Sequence, residues 1–209
     1  MYHLFMDLET TERYATEWNN IIEIAGIIYD IENDLEIDRF HKLCYPKSGK
    51  ISEGASEVTG YTIKMLKQYE DEEDVLLEFA AWVGLHKMDG NIAHIVGHNY
   101  EAFDHNVISK RMGYFGIVWP FADTRDNIID TYKHAKGVKS RGIPKRIEDT
   151  GFRTESGKSV SYTQESIAKF YGIKYDAHHA IDDILALIQI FKRMFNKVSV
   201  KEKRSKLGF

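Results

Sequence analysis

The sequence predicts an α/β protein in which a central mixed β-sheet is flanked by helices. Three segments within the first 44 residues have the apolar and β-branched character of strands. From residue 75 onward, segments with helical periodicity alternate with a strand-like segment. Strands first, followed by alternating helices and strands, is the order expected when helices cover a mixed sheet.

The three opening strands are predicted at residues 2–8, 21–29 and 35–44. The first alternates in polarity, whereas the other two are rich in β-branched and apolar residues. The turn-like residues 30–34 connect the second strand to the third, which favours an antiparallel arrangement of all three.

Helices are predicted at residues 75–85, 104–112, 163–171 and 180–195. The first has the apolar spacing of an amphipathic helix, the third ends before Gly172, and the last carries apolar residues at helical spacing along its inward side. Between the first two helices, the apolar residues 92–96 predict a buried strand.

One compact domain is expected, because 209 residues with 43% hydrophobic content are enough for a sizeable core. Residues 1–196 are assigned to this domain and residues 197–209 to a basic C-terminal tail. No apolar run approaches the roughly 18 residues of a membrane span, so we expect a soluble protein with no membrane contact and no signal peptide. The single cysteine, Cys44, excludes an internal disulfide and suits a reducing compartment, which favours the cytoplasm.

The net charge of −4 argues against a protein that coats nucleic acid nonspecifically. Two basic stretches depart from this balance, the loop at residues 131–147 and the tail at 197–209. Either stretch could contact phosphates, and either could be a solvated surface segment. Their charge therefore does not decide the function.

Asp7 and Glu9 are the first candidates for chemistry. They lie two residues apart in a predicted strand, so their side chains project from one face while Leu8 points the other way. Two adjacent carboxylates repel each other, and a hard divalent cation that prefers carboxylate oxygens is the common remedy. The pair predicts a metal site if other acids converge on it, although surface strands also carry such pairs.

Asp104 is the second candidate, at the point where the predicted strand 92–96 is followed by a helix. In α/β folds, the carboxyl ends of strands gather ligands. Asp104 could instead be a simple helix N-cap, and the neighbouring His98 and Asn99 could satisfy the exposed end of the strand.

The third candidate segment, residues 177–183, opens the most strongly amphipathic helix. The apolar spacing places Asp183 at the edge that faces the sheet and leaves Asp182 more solvated, although both acids would also favour the helix dipole. A histidine just before such a helix could act as a general base near clustered acids and metal ions. His179 by itself is expected to cap the helix or to lie at the surface.

Taken together, the three segments read Asp-x-Glu-Thr-Thr at 7–11, His-Asn-x-x-x-Phe-Asp at 98–104 and His-x-Ala-x-x-Asp at 178–183. In this order they resemble the three motifs of the DEDDh 3′→5′ exonucleases, which belong to the DnaQ-like superfamily. The strand, strand-to-helix and helix contexts are those that the motifs require, so coincidence is a poor explanation. Weaker similarities extend the resemblance over nearly the whole chain, at residues 22–25, 58–62 and 129–131.

The last acid selects the subtype within this resemblance. With Asp183 as the ligand, the histidine expected five residues earlier is His178, whereas tyrosine-type relatives carry a tyrosine where this chain has His179. Taking Asp182 instead would place the expected histidine at Ala177. Only the pair of His178 and Asp183 is consistent with the motif.

The resemblance implies an RNase H-like fold with a central mixed five-stranded sheet whose first three strands are antiparallel. It also implies that two Mg²⁺ or Mn²⁺ ions are held by four acids, with Asp7 bridging them, Glu9 and Asp183 on the nucleophile side and Asp104 on the other. His178 would take the proton of the attacking water. The residues implied to contact the terminal nucleotide are Leu8, Thr10, Thr11, Tyr61, Asn99 and Phe103.

The implied partner is a nucleic acid with a free 3′ end, from which nucleoside 5′-monophosphates are released. DNA is favoured, in proofreading or repair, while RNA trimming stays open because only contacts with the sugar 2′ position distinguish the two polymers. A catalytically silent nucleic-acid-binding module is a further alternative, although it would not need all four acids and the histidine. A zinc hydrolase is disfavoured because the nine histidines include no His-Glu-x-x-His pattern.

Overall fold

A five-stranded sheet forms the centre of the computed structural model, which describes residues 2–14, 19–88, 92–121, 127–137, 152–153 and 160–195. Its strands are β1 (Tyr2–Thr10), β2 (Ile21–Asp30), β3 (Leu35–Leu43), β4 (Ile92–Gly97) and β5 (Ile128–Asp130). They lie in the order β3-β2-β1-β4-β5. Strand β2 is antiparallel to both β1 and β3, and β4 and β5 run parallel to β1. The predicted α/β class and the mixed sheet are therefore confirmed.

Helices lie on both faces of this sheet. Those in the described residues are α1 (Glu53–Thr59), α2 (Ile63–Leu66), α3 (Glu72–Met88), α4 (Asp104–Tyr114), α5 (Thr131–Ala135), α6 (Gln164–Phe170) and α7 (Ala180–Phe195). Separately, β6 (Phe152–Arg153) and β7 (Val160–Ser161) pair as a short antiparallel ribbon. None of the described helices has the length and apolar character needed to cross a membrane.

Alternation along β1 distributes its side chains between two cores. Leu4, Met6 and Leu8 join the core beneath α3 and α4. Phe5 points to the opposite face and packs with apolar residues of α7, among them Phe191, whose ring makes an edge-on contact with that of Phe5 at 5.4 Å. Residues of β1 at odd-numbered positions, like Phe5, therefore point toward the α7 face of the sheet.

Short elements are where structure and prediction differ most. The predicted helices correspond to α3, α4, α6 and α7, but α1, α2, β5 and α5 were not predicted. Helix α1 has only seven residues and is defined by its ends, with Ser52 accepting a hydrogen bond from the Ala55 amide and Gly60 at φ 73°. Such brief segments contain too few turns to show a periodicity.

A buried ion pair connects the helices beneath the sheet. Glu72, at the start of α3, accepts two 2.7 Å hydrogen bonds from the Arg111 guanidinium of α4. It also accepts hydrogen bonds from the main-chain N–H groups of Ile21 at 2.9 Å and Lys47 at 3.1 Å. Because both carboxylate oxygens are fully used, this group ties two helices to the start of β2.

The predicted basic stretches fall mostly on residues whose structure is not described. Residues 138–147 of the basic loop lie outside the described residues, as does the tail at 197–209. Of the basic loop, α5 and the two residues after it are described.

Candidate active site

Three predicted metal ligands converge between β1 and α7. Asp7 and Glu9 lie two and four residues after Phe5 in β1, so their side chains point to the same face and toward α7. The first turn of α7 supplies Asp183. Carboxylate oxygens of Asp7, Glu9 and Asp183 all lie within 4.8 Å of one another. Two strand residues and one helix residue thus form a single acidic cluster at this end of the sheet.

Asp104 adjoins the cluster from the neighbouring parallel strand. It is the first residue of α4, beyond the end of β4, and its side chain is buried. The Leu8 main-chain N–H donates a 3.1 Å hydrogen bond to Asp104 Oδ1. The alternative in which Asp104 caps the helix is wrong, because the N-cap position belongs to Phe103 and no side chain caps this helix.

Asp183 is held by two separate contacts. The His178 main-chain N–H donates to Asp183 Oδ2 at 2.8 Å, and the Gln164 side-chain amide donates to Asp183 Oδ1 at 2.9 Å. Gln164 also donates to the Asp183 carbonyl oxygen at 2.9 Å. One carboxylate oxygen therefore faces the turn before α7 and the other faces α6.

Burial raises the pKa of all four carboxyl groups, and repulsion from other acids of the cluster adds to it at Asp7, Glu9 and Asp104. For Asp7, burial followed by the charges of Asp104 and Asp183 holds the pKa well above its ordinary value. Burial, with the nearby Asp183, raises the pKa of Glu9 to about 9. Burial raises the pKa of Asp104 to about 8 and that of Asp183 to about 6. The raised pKa values show that the protein supplies too little positive charge to stabilise these carboxylates.

The two histidines before α7 have different surroundings. His178 has a left-handed backbone at φ 73°, and its half-exposed ring lies with Nε2 3.7 Å from Glu165 Oε1. The ring of His179 points elsewhere, with Nδ1 3.1 Å from the Tyr61 hydroxyl. His179 directly precedes α7, and its carbonyl oxygen accepts the Asp183 N–H at 3.0 Å.

Leu8, Thr10 and Thr11, predicted to contact a nucleotide, are all buried. The Thr10 hydroxyl donates to the Glu12 carbonyl oxygen at 2.7 Å, and the Thr11 hydroxyl accepts the Asn20 N–H at 3.0 Å. These bonds shape the chain as it leaves β1. The contacts of this segment with a nucleotide stay a prediction.

The other predicted nucleotide-contact residues lie on loops around the cluster. Tyr61 follows α1, and its hydroxyl contacts both Glu23 Oε2 and His179 Nδ1. Asn99, two residues after the end of β4, has a left-handed backbone at φ 59°, and its carbonyl oxygen accepts the Phe103 N–H at 3.1 Å. Phe103 is partly buried against the core beneath α3 and α4. Their roles toward nucleic acid likewise stay predictions.

Asp130 was not predicted as a site residue, although it lies in a segment that resembles the family. Fully buried at the end of β5, it accepts the main-chain N–H groups of Asn99 at 3.0 Å and Glu101 at 3.2 Å, and it caps α5. These bonds fix the loop that leads into Asp104. The signal available in the sequence was an acid directly after an apolar pair, which is too common to single out.

The donor set suits a hard divalent cation. It consists of carboxylates alone, which Mg²⁺ and Mn²⁺ prefer, whereas zinc sites rely on histidine and cysteine. In the part of the chain that the structure describes, no lysine or arginine forms an ion pair with Asp7, Glu9, Asp104 or Asp183. Cations are therefore the groups that would balance these charges.

One family of known proteins matches nearly the whole chain. The RNase T family model, described as Exonuclease, matches residues 4–191. A PolC-type DNA polymerase III of Staphylococcus aureus (strain bovine RF122 / ET3-1) is 29% identical over 197 residues, which cover 94% of this chain. Its counterpart in Staphylococcus epidermidis (strain ATCC 12228 / FDA PCI 1200) is 28% identical over the same share. The match spans only 11% of the length of either polymerase.

Solved structures share the fold at lower identity. E. coli Exonuclease I in complex with a dT13 oligonucleotide has a TM-score of 0.69 at 21% identity, covering 91% of this chain and 40% of that one. Cell-death related nuclease 4 (CRN-4) has a TM-score of 0.67 at 20% identity, covering 94% of this chain and 64% of that one. These likenesses confirm the predicted RNase H-like architecture.

Proposed function

The chain belongs to the RNase T exonuclease family, and from this membership we propose a divalent-metal-dependent 3′→5′ exonuclease that acts on DNA. Family membership confirms the predicted assignment to the DnaQ-like 3′→5′ exonucleases and the predicted enzyme class. The observation that carries the metal-dependent mechanism is the cluster of Asp7, Glu9 and Asp183 within 4.8 Å, with Asp104 buried beside it.

The four acids Asp7, Glu9, Asp104 and Asp183 would hold two Mg²⁺ or Mn²⁺ ions. When bound, such ions neutralise the carboxylates, activate water and stabilise negative charge on a phosphodiester. The protein's own contribution is to hold the acids together before any cation arrives. Strand β1 fixes Asp7 and Glu9, the Leu8 amide fixes Asp104, and the His178 amide and Gln164 fix Asp183.

His178 is proposed as the general base. Its half-exposed ring lies on the turn whose main-chain N–H binds Asp183, so it borders the acidic cluster and is accessible to water. It would accept one proton from the attacking water. The water oxygen then bonds to phosphorus as the bond to the 3′ oxygen breaks, which releases a nucleoside 5′-monophosphate. The 3′ oxygen takes up a proton from solvent and becomes the new 3′ hydroxyl.

The terminal nucleotide is proposed to lie across the loops that border the cluster. Tyr61 and Phe103, both partly buried, would offer aromatic surface to bases, and Asn99 lies in the loop between β4 and Phe103. Leu8, Thr10 and Thr11 would act mainly through their main chain, since the threonine hydroxyls already have partners within the protein.

DNA is the proposed polymer because the relatives are named as DNA polymerases and one structure of similar fold holds a dT13 strand. A proofreading or repair role would follow from that substrate. RNA trimming is the alternative outcome of the same experiment, since hydrolysis at a 3′ end needs the same cluster for either polymer.

The test is a time course on 5′-labelled single-stranded DNA and RNA oligonucleotides of one sequence, with Mg²⁺, with Mn²⁺ and with EDTA. We expect a ladder of products shortened from the 3′ end on DNA, no shortening in EDTA, and nucleoside 5′-monophosphates as the small product. Faster shortening of RNA would replace the DNA proposal by the RNA alternative.

Variants of two adjacent acids serve as a matched pair in this assay. Asp183→Asn should abolish shortening, because Asp183 belongs to the cluster, while Asp182→Asn should retain activity within about twofold of wild type, since Asp182 lies outside it. Equal activity of wild type and Asp183→Asn, or no shortening of either polymer by the wild type with either metal, would contradict the proposed function.

A further inference from the structure

A second polar network lies beside the acidic cluster. Glu23, on β2, has its carboxylate buried with only 1% exposure. Its Oε2 accepts the Tyr61 hydroxyl at 3.1 Å, and that hydroxyl oxygen lies 3.1 Å from His179 Nδ1. The Tyr61 and His179 rings meet edge to face with centroids 5.6 Å apart. The network thus connects the central sheet, the loop after α1 and the turn before α7.

Glu23 is not available to the metal cluster in the way that Glu9 is. The two residues are partners across the β1–β2 ladder, so their side chains share one face of the sheet. However, Glu23 Oε1 is 2.7 Å from His41 Nε2 while Oε2 holds Tyr61, so both of its oxygens are engaged within the protein. Glu23 therefore supports its neighbours and does not add a fifth open ligand.

The direction of these bonds determines the protonation of His179. A phenol has one proton, and that of Tyr61 is donated to Glu23. The contact between Tyr61 and His179 must then have His179 Nδ1–H as the donor and the Tyr61 oxygen as the acceptor. Glu23 consequently acts through Tyr61 to favour a proton on Nδ1 of His179.

The turn that carries both histidines needs such support. His178 has φ 73°, a left-handed conformation that is strained for a non-glycine residue and persists only where neighbouring contacts enforce it. On one side, the His178 N–H binds Asp183, and on the other, the His179 ring is tied to Tyr61. These contacts hold the strained residue between two fixed points.

We propose that Glu23 and Tyr61 are positioning residues that hold the His178–His179 turn against the sheet. They thereby keep the side chains of His178 and Asp183 at the correct positions relative to Asp7 and Glu9. This inference rests on the proposed nuclease function. It assigns Tyr61 a role through its hydroxyl, toward the protein, in addition to any contact of its ring with a base.

Steady-state kinetics on the preferred oligonucleotide separate positioning from substrate contact. In Tyr61→Phe, which keeps the ring, we expect kcat to fall about tenfold and KM to stay within about twofold of wild type. Glu23→Gln should have the same effect, and the double variant should be no slower than the slower single variant, because both remove one network. Unchanged kcat in Tyr61→Phe, or an increase in KM alone, would overturn the proposal.

Tyr114→Phe is the control for removal of a phenol hydroxyl. Tyr114 is 64% exposed at the far end of α4, about 15 Å along the helix from Asp104, and its variant should have wild-type kinetics. A tenfold loss of kcat in this control as well would remove the support that Tyr61→Phe gives to the proposal.

A spectroscopic measurement tests the network without turnover. The ¹⁵N chemical shifts of the His179 ring should report the Nδ1–H tautomer in the wild type and a mixture of tautomers in Tyr61→Phe. The same ring protonation in both proteins would overturn the proposal. If the wild type hydrolyses neither polymer, the proposed function fails, while these shifts still decide whether the network exists.

Discussion

The main-chain N–H of Leu8 donates a hydrogen bond to the carboxylate of Asp104, across 96 residues of sequence. Leu8 is the residue between Asp7 and Glu9, so the bond joins the first acidic motif to the second through the backbone. The two motifs are therefore held together by the protein itself. Asp104 consequently has two functions, as an acceptor for β1 and as a charge beside the cluster.

Two substitutions of Asp104 should separate these functions. Asp104→Asn keeps an oxygen acceptor for the Leu8 N–H and removes the charge, so we expect a folded protein whose exonuclease rate falls by at least about 100-fold. Asp104→Leu leaves the buried Leu8 N–H without an acceptor and should be about 1–3 kcal/mol less stable than Asp104→Asn in urea unfolding. Equal stability of the two variants would contradict the role of this hydrogen bond.

The stability of the metal-free protein should fall as the pH rises above neutrality. Burial raises the folded-state pKa of Glu9 to about 9 and that of Asp104 to about 8, whereas unfolded carboxyls titrate near about 4. Between these values the folded state binds more protons than the unfolded state, so its stability is lost with increasing pH. We expect the Tm in EDTA to fall by at least about 5 °C from pH 6.5 to 9.

Magnesium should remove much of that pH dependence, because the cation replaces the protons, and its stabilising effect should therefore grow with pH. Working above pH 6.5 avoids His3 and His98, since burial lowers the pKa of each to about 4 and both remain neutral there. Parallel Tm curves with and without Mg²⁺ would show that the cluster is not coupled to cation binding.

Breaking the buried ion pair should cost far more than breaking an exposed one. Arg111→Met leaves the Glu72 carboxylate buried without its cation, and we expect a loss of about 3–5 kcal/mol in the free energy of unfolding. Arg39→Met removes the exposed pair with Glu36 and should cost less than about 1 kcal/mol. Similar losses in the two variants, measured by chemical denaturation, would contradict this assignment.

Gly97 should tolerate no side chain. A Cβ at this position, the last residue of β4, would lie 2.6 Å from Tyr100 Cβ, so Gly97→Ala must displace the loop that leads to Asp104. We expect a destabilisation of about 1–3 kcal/mol together with reduced exonuclease activity. Gly84→Ala, in open space on α3, should instead raise the stability by about 0.5–1 kcal/mol. A stabilising Gly97→Ala would refute the close contact.

Much of the fold was predictable because its main elements carry long, regular patterns. Alternation along β1 indicated which face receives Asp7 and Glu9, and the apolar stripe of α7 placed Asp183 toward the sheet. The short elements were not predictable, since β5 has three residues and α1 has seven. Their positions depend on caps and on neighbouring strands, which local periodicity does not report.

The acidic cluster was predictable from motif order, but its supporting residues were not. Glu23 and Tyr61 are 38 residues apart, and Tyr61 and His179 are 118 apart, so only the folded chain brings them together. Likewise, the sequence offered an N-cap role for Asp104, whereas the structure gives that carboxylate to Leu8. Long-range hydrogen bonds of this kind leave no local signal.

Isothermal titration of the metal-free protein with Mn²⁺ tests the central claim most directly, because it measures the cation site without requiring turnover. The four-acid cluster predicts about two ions bound per chain in the wild type and loss of this binding in Asp7→Ala, since Asp7 belongs to the cluster. The Asp7→Ala protein should remain folded, because removing one of several crowded carboxylates relieves repulsion in the metal-free state. An isotherm in Asp7→Ala that matches the wild type would contradict the assignment of this cluster as the metal site.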